Sequence, residues 1–354
     1  MTHDIYPTLR VSREDGIARV TLDNPPVNVL DVALMADLRH LLTALRSDGS
    51  LRVIVFESAN PEFFIAHVDM SLVDTPDAFD EFAADLPDGV NVFQALGELL
   101  RHQPQVTIVK LAGTARGGGA EFVTAADMTF AAIGRAGIGQ IEALMGIVPG
   151  GGGTQYLAGR VGRNRALEAV LGADLFDAET AERYGWVNRA VPADELDGVV
   201  DRLARNIAAL PEGVIAAAKR AIAPEDLAEG LLREHDAWAA SSLAPTPSVS
   251  SAADWPTAPR PATASAIWRA CSGDCPDSPR PYPARTAPVA SLLGRSGAAP
   301  ARSSRRPHVC GRRETLLVTC PGGGSARLPF LSPRREEQAG RRPTPWWQTR
   351  RSTS

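Results

Sequence analysis

Apolar and polar residues alternate through "TLRVSREDGIARVTLD" on either side of Glu14-Asp15-Gly16. That is the period of a half-buried strand, and it predicts a β-hairpin. The period then changes. "VALMADLRHLLTALRS" repeats its apolar positions every three and four residues and predicts a helix, and the apolar run "RVIVFES" behind it predicts a buried strand. Further on, "NVFQALGELLRH" predicts a helix, "VTIVKLAG" a buried strand and "DMTFAAI" another strand. Between these groups lies an acidic stretch, "SLVDTPDAFDEFAADLPDG", expected to be a mobile surface element that helps shape a pocket. From Gly150 to Ala240 the pattern is mainly helical, interrupted by the strand candidate "WVNRAV". Strand and helix alternate first and helices take over later. The expected fold is therefore α/β, with a core over 1–190 and a helical section over 191–240.

Past Ala240 no apolar period survives. Residues 241–354 are rich in Pro, Arg, Ser and Ala and contain no lysine, which predicts a disordered tail. Charge divides at the same place. Up to Ala240 there are 20 Lys and Arg against 35 Asp and Glu; beyond it there are 17 against 6. The overall net charge of -4 hides an acidic body with a basic tail. A change of reading frame near Ala240 would account for this break. Read in a shifted frame, Pro261–Pro276 can encode an acidic-basic amphipathic helix of the kind the body uses.

The cysteines follow the same division. Cys271, Cys275, Cys310 and Cys320 all lie in the tail, so the body needs no disulfide and is expected in the reducing cytoplasm. The start "MTHDIYPTLR" lacks a basic, apolar leader, and no membrane span is expected. The Cys271/Cys275 spacing is not repeated by the other two cysteines, so no metal site is expected. Seventeen tail arginines would draw phosphates non-specifically, but nucleic acid is not the expected partner.

The candidate chemistry sits in "GTARGGGAEFVTAADMT", residues 113–129, where three glycines run into a helix-like stretch. Glycine lets a backbone approach a bound group, and the free N–H groups of a helix start favour an anion. "GGG" is thus a place to hold a developing oxyanion, with Glu121 beside it to move a proton. "FFIAHVDM" can supply a second N–H, and Asp69 is expected to cap a short helix. "GQIEALMGIVPGGGGTQYLAGRVG" adds Glu142 and a four-glycine turn, expected to let a helix start approach neighbouring backbone. Neither glycine cluster has the lysine of a phosphate-binding loop or the spacing of a dinucleotide fingerprint. Lys110 and Arg116 flank the motif, either as phosphate contacts or as solvated charge.

Taken together, "GTARGGGAEFVTAADMTFAA" and "GQIEALMGIVPGGGGTQYLAGRVGRNRALEAVLGADLFDAETAERYGWVNRAV" resemble the enoyl-CoA hydratase/isomerase (crotonase) superfamily over roughly residues 8–240. The resemblance implies a crotonase-like superhelix of ββα turns, a homotrimer or hexamer, and an acyl-CoA substrate with no separate cofactor. It implies Val68 and Gly118 as the two N–H donors of the oxyanion hole and Ala66, His67, Gly117 and Gly119 as residues against the substrate. Glu121 would activate a water for attack at C3 and Glu142 would protonate C2. Two departures stand out. His67 occupies a glycine position of the first oxyanion segment, and Ile141 a common proline position. His67 can either line the acyl pocket as a proton donor or pack outward from a tolerant turn. The family's closing helices are expected to be cut short near "LLREHDAWAA". Because both acids are retained, the resemblance implies hydration, with double-bond isomerisation, made credible by His67, or an inactive binding protein as alternatives.

Overall fold

The first hairpin forms where the alternation places it. β1 (Leu9–Glu14) and β2 (Ile17–Leu22) pair antiparallel. Asp15 and Gly16 take φ of 49° and 78°, the sense of twist that a two-residue turn between strands requires. The structure, a computed structural model, describes residues 6–69 and 89–242 together with Leu72 and Leu86. All of these belong to one compact unit. Most of the acidic stretch and the tail beyond Ser242 lie outside the described residues. So do the expectations attached to them: mobility, disorder, a shifted frame and the helix after Asp69.

Six strands make the larger sheet, in the order β1-β2-β3-β5-β7-β10, with β3 (Val53–Ser58), β5 (Val106–Leu111), β7 (Met128–Ile133) and β10 (Arg189–Pro192). From β2 onward every pairing is parallel. The unbroken apolar runs fit this, because a parallel sheet is covered on both faces: Val53 to Phe56 are all buried. On its way through, the chain also builds a second, smaller sheet in the order β4-β6-β8-β9. Its strands are β4 (Phe63–Ile65), β6 (Thr114–Arg116), β8 (Gly137–Gly139) and β9 (Phe176–Asp177).

The two sheets explain the ββα rhythm. β3 leads to β4, β5 to β6 and β7 to β8, so each turn gives one strand to each sheet before entering a helix. α1 (Val32–Arg46) starts on Asp31, whose carboxylate accepts the Leu34 N–H. α2 (Val92–Arg101) opens with Asn91 and Gln94 as a reciprocal capping box. Then come α3 (Gly118–Ala125), a 3-10 turn (Glu142–Met145), α4 (Gly153–Val161), α5 (Arg163–Gly172) and α6 (Ala178–Tyr184). α7 (Leu196–Ala208) packs on β2, β3, β5 and β7. α8 (Val214–Ala221) and α9 (Ala228–Ser242) follow. The chain is thus a mixed α/β fold built of ββα turns, with a helical C-terminal part. The last described helix, 15 residues long, packs back against α4 and ends close to where the sequence pattern runs out of helix.

Candidate active site

α3 carries the first glycine cluster into the interior. Gly117 adopts φ 52°, a conformation few other residues reach, and its N–H donates to the Gly139 carbonyl. Gly119 lies so close to β4 that a Cβ there would stand 2.3 Å from the Ile65 carbonyl oxygen. At the other end of α3, Arg160 donates to the carbonyl oxygens of Thr124 and Ala126. A cation thus serves the C-terminus while the N-terminus stays open, the arrangement the helix dipole favours.

Val68 comes to the same place from β4. Leu30 bridges to it in parallel: the Leu30 N–H donates to the His67 carbonyl and the Asp69 N–H to the Leu30 carbonyl. That geometry turns the Val68 peptide groups away from Leu30. Its carbonyl accepts from His67 Nδ1 at 2.7 Å, and its side chain meets the spot where a Gly118 Cβ would stand, 2.5 Å away. Val68 and Gly118 therefore face each other. His67 is buried, and burial lowers its pKa from the usual histidine value, helped by the nearby Arg116. It does not pack outward, and its Nδ1 is engaged by the Val68 carbonyl.

Ala66 is buried as well, with its N–H on the Val27 carbonyl and its own carbonyl accepting from Arg116 Nε. Arg116 also lies over the Phe63 ring. Lys110 forms ion pairs with Glu57 and Asp197. Both cations flanking the motif are thus engaged within the fold, and the solvated reading of Arg116 gives way to burial.

Glu121 and Glu142 both approach the first glycine cluster. Glu121, in the first turn of α3, aims Oε1 at the second glycine cluster and accepts the Gly151 N–H at 2.8 Å and the Gly153 N–H at 3.1 Å. Its Oε2 would be 3.8 Å from a Cβ on Gly118, and Oε1 of Glu142 3.0 Å from a Cβ on Gly117. A narrow pocket touching Gly118, Glu121 and Gly151 is walled by Leu30, Phe93 and Leu96. Behind Glu142 is the buried amide of Gln140. Turned to donate, its nitrogen is 3.0 and 3.2 Å from the two Glu142 oxygens. Turned the other way, its oxygen can accept from a protonated Glu142, so this amide suits either protonation state.

A third acid completes the cluster. Glu234, on α9, accepts the Gly152 N–H at 2.5 Å, the Thr154 N–H at 2.8 Å, the Thr154 hydroxyl at 2.5 Å and a Gln94 amide proton at 3.1 Å. Exposures of Glu121, Glu142 and Glu234 are 5%, 7% and 3%. Burial raises all three pKa values. Glu121 is pushed well above the ordinary carboxylate range, first by burial and then by Glu142 and Glu234, with the Gly151 and Gly153 N–H groups pulling it back. Glu142 is raised to about 7 by burial and by Glu234, against the N–H groups of Ile141 and its own residue. Glu234 is raised by burial, opposed by its hydrogen bonds from Thr154, Gln94 and Gly152. Sequence reasoning missed Glu234. The available signal was its spacing from Leu231 and the half-buried Trp238 along one face of α9.

Residues 12–235 match the family described as Enoyl-CoA hydratase/isomerase, and the chain belongs to it. It is an enzyme of that hydratase/isomerase class, and the family implies an acyl-CoA substrate. Among the described residues, no helix is long and apolar enough to cross a membrane. The chain is 32% identical over 233 residues to the probable enoyl-CoA hydratase echA8 of Mycobacterium tuberculosis, covering 65% of this chain and 87% of that one. It is 29% identical over 205 residues to the crotonyl-CoA hydratase of Syntrophomonas wolfei, covering 57% and 76%. Among solved structures, a putative enoyl-CoA hydratase from Streptomyces avermitilis is 70% identical, with a TM-score of 0.67 over 68% of this chain and 88% of that one.

Proposed function

We propose that the chain is an enoyl-CoA hydratase that adds water across the 2,3-double bond of an acyl-CoA thioester. The observation that carries this reading is the pair of buried carboxyl groups, Glu121 and Glu142, both close to the glycine start of α3. In this scheme the Val68 and Gly118 N–H groups hold the thioester oxygen, with Ala66, His67, Gly117 and Gly119 shaping the wall around it. Each such donor contributes about 2.7–4 kcal/mol to the transition state. Glu121 takes a proton from a water as its oxygen bonds to C3. The double-bond electrons move toward the thioester, giving an enolate whose oxygen rests on the two N–H groups. Glu142 then delivers a proton to C2. Glu121 ends protonated and Glu142 ionised, and one proton passing between them restores the pair.

The raised pKa values support acid–base work near neutrality, where a group must both hold and release a proton. Burial and the acidic neighbours raise both groups, while the Gly151 and Gly153 N–H groups favour the Glu121 anion. The two therefore titrate as a pair, not one by one. Isomerisation is the alternative tied to His67 as a proton donor; its Nδ1 donates to the Val68 carbonyl and not to a substrate. Acyl-CoA is the substrate and no separate cofactor takes part. Assembly as a homotrimer or hexamer and a cytoplasmic location belong to the same proposal.

The test is hydration of crotonyl-CoA, followed by loss of the ultraviolet band of the conjugated thioester, with Glu121→Gln and Glu142→Gln beside the parent. Each variant is expected to lose about 10²–10⁴-fold in turnover. A variant that keeps parental turnover would rule out the two-carboxylate scheme.

A further inference from the structure

The two-carboxylate scheme has no task for Glu234, the third buried acid of the cluster, and its placement is more particular than packing requires. Four successive N–H groups at the start of α4 divide alternately between two acids: Gly151 and Gly153 donate to Glu121, Gly152 and Thr154 to Glu234. A helix start offers several unpaired N–H groups, and here two distant carboxylates share them in place of a local cap. Glu234 has two further donors, the Thr154 hydroxyl and Gln94 of α2. Gln94 also donates to the Leu231 carbonyl, and Asn91 donates to the Gly150 carbonyl. The ring of Trp238 covers Gly150 at 2.7 Å from a Cβ placed there. Through Glu234, α9 grips the turn that in turn grips Glu121.

We propose that Glu234 is a positioning residue of the reaction: it fixes the glycine turn that holds Glu121 and supplies the charge against which Glu121 and Glu142 exchange protons. The proposal rests on reading those two acids as the working pair. The groups facing Glu234 are Glu121 from α3, Glu142 from the 3-10 turn, Tyr156 and Thr154 from α4, and Gln94 with Glu98 and Arg101 behind it from α2. On its own helix His235 turns toward Asn91. No cation donates to the Glu234 carboxylate among the described residues, so its charge is felt by the other two acids. Burial raises its own pKa and the donors of the turn lower it, and both catalytic acids are pushed up by its presence.

The sign of the test follows. Glu234→Gln removes a negative neighbour while keeping the shape, so Glu121 and Glu142 ionise more easily. The acid limb of the kcat/KM profile for crotonyl-CoA should move down by about 1 pH unit. The carboxyl ¹³C titration of Glu142 in the whole protein should move the same way. The second readout needs no substrate, so inactivity of the parent toward crotonyl-CoA would count against the hydratase reading and leave this one to the titration. Thr154→Val is the milder partner variant. Removing a donor leaves Glu234 less often charged, and the shift should have the same direction and a smaller size. A lowered melting temperature with unmoved limb and titration, in both variants, would overturn the proposal and leave Glu234 as packing alone.

Discussion

The chain starts two helices from glycine clusters, 117–119 and 150–153, and uses them in opposite ways. At α3 no side chain caps the start, and Gly118 faces Val68 across the place where the proposed oxyanion would sit. At α4 the N–H groups of residues 151 to 154 are already given to Glu121 and Glu234. In the proposed scheme one cluster is held open for a transient charge, while the other is closed on permanent acids. A run of glycines therefore says that something comes close. It does not say whether that something is a ligand or the protein's own side chain.

The sharpest way to break the comparison is to put the same methyl group into each cluster. Gly118→Ala places a Cβ 2.5 Å from the Val68 side chain, which must move and take its N–H with it. Turnover of crotonyl-CoA should fall by about 10²–10³-fold. Gly151→Ala places a Cβ 2.3 Å from Glu121 Oε2, inside a closed arrangement. Unfolding in urea should show a loss of about 1–3 kcal/mol, as overpacking usually does. Equal stability losses in the two variants would mean that the two clusters do not differ in kind, since displacing Glu121 lowers activity as well.

The three buried acids also make stability depend on pH. Glu142 holds its proton to about 7 in the folded chain against 4.5 for the ordinary group. Between these values the folded state binds more protons than the unfolded one, so stability falls as pH rises, by up to about 3 kcal/mol from this group. Glu121 and Glu234, also raised, act in the same sense. Urea midpoints at pH 5 and pH 8 should show the parent weaker at pH 8, and Glu142→Gln should narrow the gap. A gap that Glu142→Gln leaves unchanged would assign the slope to other groups.

The smallest expected effect belongs to the open side. His67 holds the Val68 carbonyl, so His67→Gly should cost about 0.5–1.5 kcal/mol in kcat/KM, carried by kcat. His67→Asn, whose amide nitrogen reaches the same carbonyl, should restore most of it. A loss confined to KM would instead place the ring against substrate.

Elements with a sustained period were legible: the hairpin at Asp15-Gly16, α1, β3 and β5 all fall where the apolar pattern puts them. The smaller sheet was not. β4, β6 and β8 have three residues each, too few to display any period. The bonds from Gly151 and Gly152 to the acids span 30 and 82 residues, and nothing local records such pairings. Glu234 stands between Arg233 and His235-Asp236, a setting that reads as solvated charge until the helix face is known. The four-glycine turn was expected to admit neighbouring backbone; it admits carboxylates and the Tyr156 ring instead.

The 82-residue reach from Gly152 to Glu234 has a consequence for the order in which the protein is made. A ribosome delivers the chain from its N-terminus, so the glycine turn emerges long before its second acid does. Until then the N–H groups that Glu234 takes in the folded chain, those of Gly152 and Thr154, lack that partner. The nascent site stays unfinished until α9 arrives, which makes the last described helix the final clasp on chemistry encoded far upstream.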